Sequence, residues 1–442
     1  MAASQGFAYL LALVVKWKLL EAFVVPTGAM APTIYGAHAD VVCRNCGMKY
    51  AVSMSSWAHR RQDREPVRTV CPNCGQPSEI GALARILQGD RIIVEKISQP
   101  RRWDLMVFKY PEDPRTDYVK RVVGMPGETL EIVDGDIFIN GNRLRKEPSE
   151  AQDTWLLVHD SSRAAKRVLR GGPRWEPKGS SSGWKLDDGQ WTFKGMNATG
   201  DALVFSGRLT DEIAYNEEEP SPGPEKNSPP LLGDVKLACD VKQFSGEGSL
   251  ELRWEFRDQK VRAKISADGQ VEMAVSVMLS ASEEGKPREN AAHGKLHRSL
   301  STARQLGLAI RDGYAYLIED DHLVVSAAVG PQDLASFKER KEATESCRLE
   351  ILGSRCNIVL SRVVLWRDIY YRTLSQIPGI GPEPGWGCAG HPIRLGDREY
   401  FVLGDNSCRS KDSRFWGTVP SDAVVGVARW TYWPHSRWHR FQ

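Results

Sequence analysis

Short runs of apolar residues, alternating or continuous, recur along this chain, and Gly, Pro, Asn and Asp separate them. Ile92-Ile93-Val94, Leu105–Phe108, Leu203-Val204-Phe205, Val235–Val241, Leu250–Phe256, Val271–Met278 and Phe401-Val402-Leu403 each have the length and β-branched or aromatic content of a strand. Asp134-Gly135 and Asn140-Gly141 bracket Ile137-Phe138-Ile139, and Asp312-Gly313 splits Ile310–Ile318; such dipeptides supply the positive φ angles of tight hairpins. Asp320-Asp321 then precedes Leu323-Val324-Val325. The pattern offers one helix, near Pro331–Glu342. It therefore predicts a mainly β protein.

The N-terminus reads differently. Phe7–Val15 is continuously apolar, Lys16, Lys18 and Glu21 interrupt it, and Ala22–Val25 resumes it. A membrane span needs roughly 20 apolar residues, a length reached here only with the charged residues included. Lysine stems can snorkel to the interface. Residues 1–25 thus read as a membrane anchor, either a spanning helix or a segment lying in the lipid surface; a cleaved signal peptide is a third reading. The basic residues follow the apolar run, which does not favour an outward-facing C-terminal part.

A chain of 442 residues predicts two to four domains. With 59 basic against 56 acidic residues, no charge excess points to nucleic acid. Cysteine changes the picture. Cys43-Arg44-Asn45-Cys46-Gly47 and Cys71-Pro72-Asn73-Cys74-Gly75 are two CxxC knuckles, each able to offer two thiolates to one tetrahedral ion. Residues 38–82 therefore read as a zinc ribbon with one structural zinc on Cys43, Cys46, Cys71 and Cys74. Two disulfides are the alternative, although each would be strained within its own knuckle. Cys239, Cys347, Cys356, Cys388 and Cys408 show no comparable spacing.

Four stretches, in order, carry a family resemblance. Pro26-Thr27-Gly28-Ala29-Met30-Ala31-Pro32-Thr33 resembles the nucleophile motif of type I signal peptidases, the membrane-bound Ser–Lys proteases. Gly89–Lys96 with Trp103–Pro111 resembles two paired strands of their catalytic barrel. Tyr118–Glu128 resembles the motif of the catalytic lysine, and Phe401–Ser407 with Ser410–Gly417 resembles the final motif. The resemblance places the attacking serine at position 29, which here is Ala29. It implies that Lys120 is the general base, Thr27 the oxyanion donor and Ser410 the residue that orients the lysine, with Asp412 and Arg414 bracing the site. Ser407 departs from the pattern, since an arginine usually follows Asn406.

The chemistry accounts for the residue types. A serine hydroxyl attacks only when a base takes its proton, and a lysine does so only when neutral, which burial favours. Val119, Val122 and Val123 give Lys120 such a setting. The plain alternative is a strand lysine paired with Glu128 or Asp117. In an extended segment Thr27 and position 29 would face the same side.

The resemblance implies catalytic segments at 26–37, 83–147 and 374–442, separated by the ribbon and by a second insertion over residues 148–373. The latter's strand pattern resembles a concanavalin-like β-sandwich, expected to fold independently and to take a carbohydrate or protein ligand. Trp175, Trp184 and Trp191 would stack on sugars or, more plainly, fill its core. Glu217–Pro230 reads as a loop within it. The function implied is endoproteolytic removal of signal peptides from exported preproteins at the bacterial cytoplasmic membrane, with the catalytic domain on the outer face. The alternative is a catalytically inactive homologue, a pseudoenzyme that acts as a binding module.

Overall fold

In the computed structural model, the described residues are 18–54, 66–81 and 84–441, apart from internal segments at 170–171, 173, 180–181, 188, 196–199, 212–228, 279–286, 303, 340–346, 378–379 and 381–384. Residues 1–17, which hold most of the proposed anchor, and most of the predicted loop Glu217–Pro230 lie outside them. Among the described residues no helix is long and apolar enough to cross a membrane. The end of the predicted anchor is instead a strand, Leu20–Val24, paired antiparallel with Arg91–Glu95. Its burial alternates rather than following a helical stripe, because Glu21 and the neighbouring residues meet a strand partner along their whole length.

The catalytic-type motifs converge on one eight-stranded sheet. Its order is Leu20–Val24, Arg91–Glu95, Val424–Trp433, Leu105–Tyr110, Asp113–Gly124, Glu399–Leu403 and Val419–Pro420, with His439–Arg440 beside Val424–Trp433. The two strands after Gly89 do not pair with each other, although the resemblance implies that they would. Arg91–Glu95 and Leu105–Tyr110 both pair with Val424–Trp433, which lies between them. A strand more than 300 residues away in sequence thus closes the centre of the sheet. Burial explains the choice: Leu105–Tyr110 is buried on both faces along most of its length, and a central position protects it.

A second, four-stranded sheet joins Asn142–Arg143, Asp136–Ile139, Thr129–Val133 and Ile393–Arg394. Its turns are the predicted ones: Asp134, Gly135, Asn140 and Gly141 all have positive φ. Asp312 and Gly313 likewise turn Gln305–Arg311 into Tyr314–Glu319.

The large insertion forms a thirteen-stranded antiparallel sheet. Two predicted strands, Val235–Val241 and Leu250–Phe256, are parts of one strand, Val235–Phe256, bent by irregularities around Asp240–Gln243 and Gly246–Ser249. It runs beside Cys347–Arg367 for most of its length. Strands from across this sheet bury side chains in a single core, and Trp175, Trp184 and Trp191 belong to it, as the core reading predicted. The predicted helix is shorter than expected: Leu334–Lys338, capped by Asp333.

The ends of the insertion are built into the catalytic part. Ala151, Leu156, Ile369 and Tyr371 share a core with Val123, Leu130, Phe401 and Leu403.

Candidate active site

The segment carrying position 29 is not extended. Thr27 is extended (φ −113°, ψ 155°), and Gly28–Met30 then forms a 3-10 turn. The i, i+2 argument for Thr27 and Ala29 therefore does not apply, because the chain turns at Gly28 before reaching Ala29. The turn is pinned from both sides. Ala31 N–H donates to the Gly28 carbonyl at 3.1 Å, and Ile34 N–H to that of Met30 at 2.9 Å. From the final motif, Asn406 N–H donates to the Ala29 carbonyl (3.1 Å) and Asn406 Nδ2 to that of Gly28 (3.0 Å).

Lys120 arrives from the opposite wall. Its strand, Asp113–Gly124, begins in solvent and enters the core towards its end. Asp117 pairs with Lys109 (2.8 Å) and Glu128 with Arg102, so neither of the plain partners engages Lys120. The lysine side chain is 4% exposed. Burial pushes its pKa down to about 8, against the pull of Asp412 and Asp405, and Arg414 adds to the depression. Thr27, Ala29 and Lys120 line one groove of about 550 Å³, whose walls include Phe23, Val25, Ile92, Val107 and Val119.

Ser410 forms no hydrogen bond to the lysine. Its Oγ is buried without a hydrogen-bond partner among the described residues. It presses on Gly404, where a Cβ would lie 2.0 Å from Ser410 Oγ and 2.6 Å from the Ala29 carbonyl oxygen. Only glycine leaves room for the final motif and the turn at Ala29 to meet there.

Asp412 and Arg414 form no surface pair. Both side chains are fully buried, 2.7 Å apart. Asp412 also accepts from Gly404 N–H (3.0 Å) and caps the short helix Ser413–Trp416. Arg414 donates to the Ser407 carbonyl (2.8 Å) and to Ser407 Oγ (3.1 Å). Ser407, the departure from the family pattern, thus has a defined role: its Oγ also accepts from Arg372 N–H at 2.8 Å.

Several site-bracing residues had no local sequence signal. Next to Lys120, Arg121 is fully buried and forks onto Asp405 through Nε and Nη2 (2.8 and 2.6 Å); Nη2 also donates to Asp153 at 3.0 Å, and Nη1 donates to the Trp103 carbonyl at 2.9 Å. Arg372 donates through Nε to Asp211 at 2.6 Å. Asp153, Asp211 and Arg372 come from the large insertion, and only the tertiary arrangement brings them to the motifs.

The four predicted ligand cysteines are brought together. Each knuckle sits at the tip of a hairpin, His38–Val42 with Lys49–Ser53 and Val67–Val70 with Pro77–Ile80. Gly47 and Gly75 N–H groups close the two knuckles onto the carbonyls of Cys43 and Cys71, both at 2.9 Å. Cys43 Sγ lies 3.6 Å from Cys74 Sγ, and Cys46 Sγ 3.6 Å from Cys71 Sγ. A disulfide needs about 2.05 Å, and all nine cysteines are free thiols. Bonds of about 2.3 Å to a tetrahedral ion would put the sulphurs roughly 3.8 Å apart. The donor set fits one metal ion, and four protein ligands leave no place for a reacting water.

Comparison with known proteins agrees with this geometry. The family "Signal peptidase, peptidase S26" matches residues 78–169 and 387–433, the first segment running into the start of the large insertion and the second lying beyond its end. Among curated proteins, the chain is 34% identical over 107 residues to signal peptidase I of Pseudomonas fluorescens, covering 23% of this chain and 35% of that protein. It is 28% identical over 144 residues to signal peptidase I of Rickettsia typhi, covering 33% and 44% respectively. The chain thus spans less than half the length of these relatives. Among solved structures, a carbohydrate-binding module, CBM66 from Bacillus subtilis, matches 43% of this chain and 94% of its own at 12% identity and a TM-score of 0.27, too distant to say anything about a ligand. The lysine and final motifs thus fold onto one sheet, and the two segments that carry them are similar to the type I signal peptidases.

Proposed function

We propose that the groove binds the signal peptides of exported preproteins, and that the protein retains the base of a Ser–Lys peptidase without its nucleophile. One observation carries this reading: Lys120, buried and with its pKa lowered to about 8, opens onto the same groove as Ala29. A neutral Lys120 amine would take the proton from a hydroxyl at position 29, and the Thr27 hydroxyl would donate to the oxyanion. Ser410 would orient the amine, its buried Oγ being without another hydrogen-bond partner among the described residues, and Asp412–Arg414 would hold the final motif in place. Ala29 offers no oxygen to attack with. As it stands, the chain would therefore hold its peptide uncut, or cut it very slowly through the oxyanion donor and groove alone. This favours the second reading, a binding module, for the unaltered chain, and a serine endopeptidase for an Ala29→Ser version.

The metal on Cys43, Cys46, Cys71 and Cys74 would be structural zinc, and protein purified without chelator should carry one zinc ion per chain by elemental analysis. The place of action would be the outer face of the bacterial cytoplasmic membrane, with residues 1–17 as the lipid contact. The deciding experiment compares the unaltered chain, Ala29→Ser and Ala29→Ser with Lys120→Ala on a signal-peptide substrate. Cleavage by the middle protein alone is the expected result. Equal cleavage by the unaltered chain would reject the assignment of position 29.

A further inference from the structure

The metal ribbon does more than decorate the catalytic fold, because one end of it reaches the peptide groove. The hairpin His38–Val42 with Lys49–Ser53 holds the first knuckle at its tip and pairs His38 with Ser53 at its open end. That open end is fastened to the segment carrying position 29. Ala37 N–H donates to the Pro26 carbonyl (3.1 Å), and Met54 N–H to that of Ala37 (3.0 Å). Gly36 lies so close to Thr27 that a Cβ would meet its carbonyl carbon at 2.2 Å. On the same strand as Ser53, Ala51 packs with Ala31 and Cys408. The strand is thus wedged between the turn at Ala29 and the final motif. Ser53 itself lines the groove alongside Ala29, Met30 and Lys120, the one residue of the ribbon to do so among the described residues.

We propose that Ser53 is a specificity-determining residue of the peptide groove, delivered by the ribbon. This rests on the reading that the groove binds signal peptides. Phe23, Val25, Ile92, Val107 and Val119 give the groove an apolar part of its lining. A small side chain at position 53 leaves space in the groove that Ala29 also lines, and its backbone cannot retreat because Ala51 and Met54 are held on either side of it. Ser53 therefore sets how large a peptide side chain fits there. A steric difference of a methylene or more in such a pocket changes binding roughly 10- to 200-fold.

The unaltered chain suits the test, since a peptide bound beside Ala29 is not consumed. Fluorescence anisotropy of a labelled synthetic signal peptide would be measured with the full chain and with Ser53→Ala, Ser53→Val, Ser53→Leu and Ser53→Phe. A second peptide would carry leucine in place of the small residue before the cleavage site. Affinity should fall in order of side-chain volume, by about 10-fold or more at Leu and Phe, with Ser53→Ala nearly unchanged. The loss should be larger for the leucine peptide. If Phe prevents folding, as judged by circular dichroism, the Ala–Val–Leu order decides. Val119→Trp, on another wall of the groove, separates the two claims. Loss of binding in Val119→Trp with no effect of the folded Ser53 variants overturns the role of Ser53 and leaves the groove reading standing. Unchanged binding in both, or no binding by the unaltered chain, overturns the groove reading as well.

Discussion

The two walls of the groove are built to different standards. On one side, Lys120 is buried, its ammonium form is disfavoured, and the neighbouring charges are locked into pairs: Arg121 with Asp405 and Asp153, Arg414 with Asp412. On the other side, the turn Gly28–Met30 is held by Asn406 and closely packed at Gly404, yet it presents a methyl group. Burying a lysine away from an ion pair is destabilising, whereas an alanine in a turn is not. On the proposed reading, the expensive half of a Ser–Lys site is present, and the missing half is a single oxygen atom. That contrast teaches that the electrostatic setting of the base does not depend on the nucleophile. It is fixed by burial and by the brace beneath it.

The largest test of this comparison is to restore the oxygen. Ala29→Ser should raise cleavage of a signal-peptide substrate by a factor on the order of 10⁴ to 10⁶, the scale on which serine-protease nucleophiles act. Its pH–rate profile should rise with an inflection near 8, because the base works only above its own pKa. A rate independent of pH across that range would mean that Lys120 is not the base.

Next comes the brace. Arg414→Leu leaves Asp412 buried and unpaired, and should lower unfolding free energy by about 3–5 kcal/mol in denaturant titration. The exposed pair of Arg115 with Asp113 provides the control: Arg115→Ala should change stability by less than about 1 kcal/mol. Equal effects of the two substitutions would contradict the buried arrangement.

Lys120→Met should do the reverse and stabilise the protein at pH 7, by about 3 kcal/mol from a shift between 10.5 and about 8. Below pH 8 the folded and unfolded chains both keep the proton, and the lysine exacts its full penalty. Between 8 and 10.5 only the unfolded chain keeps it, so the stability of the unaltered protein rises with pH. Above 10.5 neither does, and the gain from methionine should vanish. Thermal melts of the two proteins across this range would reveal a constant gap if burial were not the cause.

The smallest effect expected of a single substitution at the buried braces concerns the insertion. Asp153→Asn removes one of two carboxylates from Arg121 and leaves Asp405 in place, so a loss of about 1–2 kcal/mol is expected. Excising residues 148–373 strips away Asp153 together with Arg372, the donor to Ser407, and should destabilise the catalytic sheet by more than that single substitution does. Catalytic-sheet stability that survives the excision unchanged would show that the insertion is an appendage.

Much of this was readable from the residues alone. Hairpin turns at Asp134-Gly135, Asn140-Gly141 and Asp312-Gly313 depend on φ angles that few residues tolerate, so a dipeptide suffices to locate them. Two CxxC knuckles likewise carry their own geometry, and the sulphurs meet as that spacing predicts. The motif residues Lys120, Asp412 and Arg414 were identifiable because each lies within a short pattern. The pairing of Arg91–Glu95 and Leu105–Tyr110 was not, because sheet order depends on which distant strand, here Val424–Trp433, best covers their faces. The turn at Gly28–Met30 was also hidden, since an extended and a turned path differ by backbone contacts with Asn406, far along the chain.

By itself, then, the sequence determined a mainly β chain, a cluster of four cysteines able to hold a metal ion, the resemblance of its motifs and the absence of a hydroxyl at position 29. Each follows from a residue type or from a spacing of a few residues. The tertiary structure alone decided that Asp412–Arg414 is buried, that Asp153 and Arg372 of the insertion hold Arg121 and Ser407, and that Ser53 lines the groove. These are contacts between segments distant along the chain. Their presence turns on burial and strand register over the whole molecule, which no local pattern encodes.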